Sequence, residues 1–116
     1  MSDIMSRVRN FCYTVTAETE SPDAAEAYRA WLLGGHIQSV IEGGASRGEL
    51  IQIESEPGDP IRIQSRYIFQ SREMFETYER EYASALREEG IRLFGPKSEH
   101  PMLFSRTHSN IIAEFA

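Results

Sequence analysis

Glu49-Leu50-Ile51-Gln52-Ile53-Glu54-Ser55 and Ile61-Arg62-Ile63-Gln64-Ser65-Arg66-Tyr67-Ile68-Phe69 stand on either side of Pro57-Gly58-Asp59-Pro60. Successive side chains of a strand point to opposite faces, so the alternation in both runs predicts two strands. Proline and glycine at Pro57, Gly58 and Pro60 supply the fixed and the permissive backbone that a reversal needs. The second run places Ile61, Ile63, Tyr67 and Phe69 on one side and Arg62, Gln64 and Arg66 on the other. A hairpin with one apolar face is the expected result.

Working outward, each strand of this hairpin meets a helix. On the N-terminal side, Ser21-Pro22-Asp23 reads as a helix start: a serine N-cap, proline in the first turn, and an acid beside the positive end of the dipole. Ala24, Ala27, Tyr28, Trp31 and Leu32 follow at helical spacing as a buried stripe. Gly34-Gly35 interrupts it, Ile37, Val40 and Ile41 resume it from His36, and Gly43-Gly44 ends it. On the C-terminal side, Ser71 caps a second helix with Phe75, Tyr78, Tyr82, Ala85 and Leu86 as its stripe and Glu76–Arg80 as an i, i+4 pair. Gly90 marks an end or a break in it, and Gly95-Pro96 stops the pattern. The aromatic and β-branched run Val8–Thr16 predicts an opening strand, with Phe11, Tyr13 and Val15 facing away from Asn10, Cys12, Thr14 and Thr16. A last strand is expected within Met102–Phe115. The order βαββαβ is that of the ferredoxin-like α+β fold, a four-stranded antiparallel sheet with both helices on one face.

Composition limits what such a domain does. The 116 residues suit a single domain spanning the chain, 41% hydrophobic, with 18 acidic against 12 basic side chains. A net charge of −6 argues against nucleic acid, whose binding rests on neutralised phosphates, and against an anionic membrane surface. The stretch 1–10 has no apolar core of a signal peptide, and no window approaches the 18 apolar residues of a membrane span. With Cys12 alone, neither an internal disulfide nor a thiolate metal site is expected, and a cytoplasmic location follows. His36, His100 and His108 lack metal-ligand spacing, and no cofactor is expected.

The covered sheet face leaves an opposite face without a partner element. Leu50, Ile68, Met102 and Phe104 are expected there, beside the polar Thr14, Thr16, Gln64 and Arg66. A second copy of the chain, packed sheet to sheet, would cover them, and the open face would then be partly interface and partly an enclosed pocket. His36, beside the glycine pair, is the candidate base. Arg66, Arg106, Gln64 and Thr14 are the candidate ligand-binding set, because guanidinium forks bind both oxygens of a carboxylate. Arg106 shares a strand face with Phe104 and His108, and both arginines are expected on the face opposite the helices.

Trp31-Leu32-Leu33-Gly34-Gly35-His36-Ile37 resembles the W-L-x-x-x-H-I signature of a small, mostly bacterial family of a domain of unknown function. Tyr13-Thr14-Val15-Thr16 resembles its Y-N-V-T strand, with Thr14 where the family has Asn, and Gly34-Gly35 stands where the family continues its first helix. Tyr67, the run Tyr78 to Gly90 that contains Leu86-Arg87-Glu88-Glu89-Gly90, Phe94 and Arg106 are in register with the remainder. The family is similar to the dimeric α/β-barrel superfamily, which implies a homodimer formed through the sheet. Two functions are compatible: a dimer holding a small anionic or aromatic ligand in a sheet-lined cavity, or a cofactor-independent monooxygenase or isomerase of the antibiotic-biosynthesis type. In the second, His36 is the base and Arg66 or Arg106 the oxyanion partner.

Overall fold

The computed structural model describes residues 10–116. Its strands are β1 (Phe11–Thr19), β2 (Arg47–Gln52), β3 (Ile61–Phe69) and β4 (Leu103–Asn110), ordered β2-β3-β1-β4 and all antiparallel. The helices are α1 (Pro22–Trp31), α2 (Ile37–Glu42), α3 (Arg72–Glu81) and α4 (Ala83–Phe94). This is the ferredoxin-like α+β fold. The expected beginning of β1 at Val8 lies outside the described residues, and the strand runs on to Thr19 because its pairing with β3 continues to Thr19↔Ile61.

Pairing of β1 with β3 sets the two faces of the sheet. Opposed residues of an antiparallel pair point the same way. Phe11↔Phe69, Tyr13↔Tyr67, Val15↔Ser65 and Ala17↔Ile63 therefore share the side that the helices cover. Cys12↔Ile68, Thr14↔Arg66 and Thr16↔Gln64 share the open side. The helix side holds two apolar clusters. Around Phe11, Tyr13, Tyr67 and Phe69 pack Val40, Phe75 and Tyr78; around Ala17 and Ile63 pack Ala24, Tyr28, Leu32, Phe94 and Met102. Each large side chain removed from water here contributes about 1.5–3 kcal/mol.

Three of the four apolar residues expected on the open face are on the helix side instead. Leu50 opposes Ser65 and Phe104 opposes Ala17, which places both with the Tyr28 cluster. Met102 precedes β4, donates its backbone N–H to the Phe94 carbonyl and is 5% exposed. Ile68 alone remains on the open face as expected. The physical reason is register, which transfers a whole strand face at every one-residue step.

The helices follow their signals at the starts and depart from them inside. Ser21 and Ser71 accept from the backbone N–H groups of Ala24 and Met74, as N-caps do. The second helix breaks at Tyr82 and not at Gly90, which α4 carries in its interior. Tyr82 is half exposed rather than core, lying over Gly43, where an added Cβ would approach its ring to 3.2 Å. Arg72, not Arg80, pairs with Glu76, at 3.3 Å, and such exposed pairs contribute little. The glycine pair has a definite geometry. Between α1 and α2 the chain kinks at Gly35, whose φ 149°, ψ −20° is not helical and suits glycine.

The two adjacent glycines should respond oppositely to alanine. Neither Cβ would meet an atom within 4 Å, so only backbone conformation separates them. Gly35→Ala should lower stability by about 1–3 kcal/mol because its φ suits glycine alone. Gly34→Ala, at negative φ, should raise stability by about 0.4–1 kcal/mol by restricting the unfolded chain. Denaturant melts of the two variants check this, and equal signs would contradict it.

Candidate functional site

A cavity of about 60 Å³ lies between the helix side of the sheet and its helical cover. It is not on the open face, where the pocket is expected from the sequence, because the strand residues lining it share the parity of the core. β1 and β3 supply its floor through Tyr13, Ser65 and Tyr67, and β4 adds Arg106. His36 and Trp31 come from the first helical layer, and Arg87 from α4. The strand residues arrive there by parity. Tyr13, Ser65 and Tyr67 belong to the face that the core requires to be covered.

Most of the polar groups in this cavity are deeply buried. Tyr13, Ser65 and Tyr67 are 3%, 1% and 1% exposed. The Nδ1 atom of His36 is buried without a hydrogen-bond partner; the buried Tyr67 hydroxyl has the Ser65 side chain beside it but makes no hydrogen bond of ordinary geometry. Leaving such a group unmatched costs about 1–3 kcal/mol, so each buried orphan calls for an explanation. Burial pushes the Tyr67 hydroxyl up to about 12, and desolvation raises Tyr28 and Tyr78 as well. All three phenols are uncharged and hold their protons at neutral pH.

His36 is placed by the kink at Gly35 and by Trp31. Its ring stacks on the indole at 3.9 Å between centroids and 23° between planes. The indole in turn donates from Nε1 to the Glu89 carboxylate at 2.8 Å. Desolvation lowers the imidazole to about 4, with Glu89 opposing the shift. The cation is disfavoured, so His36 is neutral at pH 7.

The arginines divide. Arg106 opposes Val15 in the β1–β4 register and therefore lies on the helix side, which corrects the expectation that it shares the open face with Arg66. Its Nε donates to the Tyr13 hydroxyl at 3.0 Å. Arg66 opposes Thr14 and Glu49 on the open side and sits 3.8 Å from the Glu49 carboxylate, with its side chain 42% exposed. Gln64 is there too, donating from Nε2 to the Thr16 hydroxyl at 3.2 Å. Thr14 has Cys12 Sγ 3.6 Å from its hydroxyl oxygen. The structure thus brings His36 and Arg106 to one cavity and leaves Arg66, Gln64 and Thr14 on the other side of the sheet. His108, on the Arg106 face, packs edge-on to Phe75 at 4.9 Å.

Tyr13, Tyr67, Ser65 and Arg87 are not among the site residues expected from the sequence. The tyrosines share a strand face with apolar residues and so read as core, which they also are. Phe104 is the sequence signal for the position of Arg106. It shares the parity of Arg106, and an aromatic ring belongs on the covered face. Arg87 follows Leu86 of the helical stripe, donates to Glu79, and comes close to the Tyr13 hydroxyl as well. Two guanidinium groups therefore converge on one phenol. Among the described residues, no three His, Cys, Asp or Glu side chains group as metal ligands do, and no helix is long and apolar enough to cross a membrane.

Solved structures with this architecture are similar to the chain over most of its length. Two dimeric ferredoxin-like proteins from uncultured marine organisms each align over 92% of it at 14% identity. They are themselves covered to 99% and 98%, with TM-scores of 0.63 and 0.64. An ethyl tert-butyl ether D (EthD) family protein from Bacillus halodurans aligns over 83% of the chain and 96% of its own, at 11% identity and a TM-score of 0.56. At these identities the likeness establishes the fold. No curated protein sequence matches the chain. The model of the family described as Domain of unknown function (DUF4286) matches residues 10–107, and the chain belongs to that family.

Proposed function

We propose that the protein is a homodimer that binds a small molecule in the cavity between its sheet and its helices. The observation that carries the binding reading is the Tyr67 hydroxyl, in a residue 1% exposed, which borders a cavity and makes no hydrogen bond of ordinary geometry even to the nearby Ser65 side chain. A polar atom left unmatched in a folded core destabilises it unless something else, such as a ligand, takes up the hydrogen bond. His36 Nδ1 adds a second unmatched atom at the same cavity.

The dimer is supported by the likeness to two proteins described as dimeric with the same fold. Its interface on this reading is the open face, and the register makes that interface polar. Thr14, Thr16, Gln64 and the Arg66–Glu49 pair are on it, so the second copy would be held by hydrogen bonds and charge pairs more than by apolar burial. The enzyme reading with His36 as base is weaker. A group that gives up its proton near pH 4 is far from the working pH at which a general base is effective, and Arg66 is across the sheet from it.

Three measurements bear on this. Light scattering should give twice the 13.2 kDa chain mass, and a monomer mass would end the dimer reading. Tyr67→Phe removes the orphan hydroxyl, so the ligand-free protein should melt at an equal or higher temperature, with a gain of up to about 1–3 kcal/mol. A clear loss of stability would mean that the hydroxyl has a structural partner. For pH, the sign follows from His36. Its folded value of about 4 lies below the ordinary 6.5, so the unfolded chain binds the proton more readily between them. The stability from a neutral His36 is complete above 6.5 and is lost as pH falls toward 4. Melting curves of wild type against His36→Gln should show this slope only in wild type.

A further inference from the structure

We infer that the ligand of this cavity is a small monocarboxylate of about four to six non-hydrogen atoms, held at its charged end by Arg106. The inference rests on the cavity reading above and adds the ligand's charge, size and orientation. Charge comes first. Arg87 and Arg106 both border the cavity, and Arg87 already has the Glu79 carboxylate. Arg106 makes no ion pair with a carboxylate among the described residues; its Nε bond goes to the neutral Tyr13 hydroxyl. One cation is therefore in excess at the cavity, which a monoanion would balance. Arg106 is an exposed residue, so it stands where a ligand would enter.

Hydrogen bonding agrees with the charge. The Tyr13 oxygen accepts from Arg106, which leaves its own proton free to be given away. Tyr67 holds a proton that no hydrogen bond of ordinary geometry takes up, although the Ser65 side chain is close. Two phenolic donors and a guanidinium fork make a site rich in donors, and a carboxylate is an acceptor with two oxygens and about four lone-pair positions. Size sets the limit. A volume of about 60 Å³ corresponds to about four to six water molecules, at 10–15 Å³ each. That holds acetate or pyruvate, whereas a benzoate ring would have to extend out of the cavity's open side.

Thermal-shift titrations to tens of millimolar, at constant ionic strength, test the assignment with named probes, since a ligand of this size binds weakly. Sodium acetate and sodium pyruvate should raise the melting temperature. Acetamide, the neutral isostere of acetate, inorganic phosphate and sodium benzoate should not. Arg106→Met should weaken the carboxylate response at least about tenfold, whereas Arg106→Lys should retain part of it and Arg66→Met, on the other face, all of it. If acetamide stabilises as well as acetate and Arg106→Met changes nothing, the cavity still binds and the anion assignment is wrong. A response to phosphate or benzoate in place of the carboxylates overturns the class or the size. If no probe stabilises and Tyr67→Phe is destabilising, the cavity reading itself falls.

Discussion

The pairing of β1 with β3 is the constraint on which the other features depend. These two strands are the centre of the sheet, joined along nine residue pairs from Phe11↔Phe69 to Thr19↔Ile61. Their register commits Phe11, Tyr13, Ala17, Ile63, Tyr67 and Phe69 to one face, and no helix could settle on the sheet without that commitment. A slip of one residue would turn Thr14, Thr16, Gln64 and Arg66 into the core and expose four aromatic rings to water. The edge strands inherit their faces from this pair, β4 through Val15↔Arg106 and β2 through Ser65↔Leu50. The cavity is one product of that inheritance, since its floor consists of the polar members of an otherwise apolar face.

The same dependence explains how much could be read from the sequence. Period-2 alternation in Ile61–Phe69 and the capped starts at Ser21 and Ser71 are local signals, and the elements they announce are present. The face on which an edge strand presents its side chains is not local. It is decided by the partner with which the strand pairs, and β4 (Leu103–Asn110) lacks a clean alternation that would reveal it. Arg106 was therefore placed with Arg66, although Phe104 on the same face pointed to the core. The break in the second helix has a similar origin. Gly90 looks like the weak point by propensity, but α4 passes through it and the helix parts at Tyr82, beside Gly43 of the other layer. Propensity yields to packing where the two disagree.

His36 was legible as a residue of interest, but not its state. Its position after the glycine pair is visible in the sequence, whereas its neutrality depends on burial, the stacked Trp31 and the distance of any acid strong enough to hold a proton on it. Glu89 is the acid that acts on it, and its own hydrogen bond goes to the indole. The two tyrosines read as core and not as site residues for a related reason: a phenol can fill a core with its ring and equip a cavity with its oxygen, and the pattern reports only the ring.

The kink at Gly35 makes the direction of the first helix and the geometry of the site separable. Each residue of an α-helix accounts for about 100° of rotation, and Gly35, at φ 149°, steps out of that repeat. A side chain there would favour unbroken helix, and everything after it would continue in the phase of α1. Ile37 and Val40 would be drawn off the sheet, or else His36 would be turned away from Trp31. The kink thus serves as a phase adjuster between two helices that both face the sheet, and it sets the histidine at the junction apart from the repeat of α1.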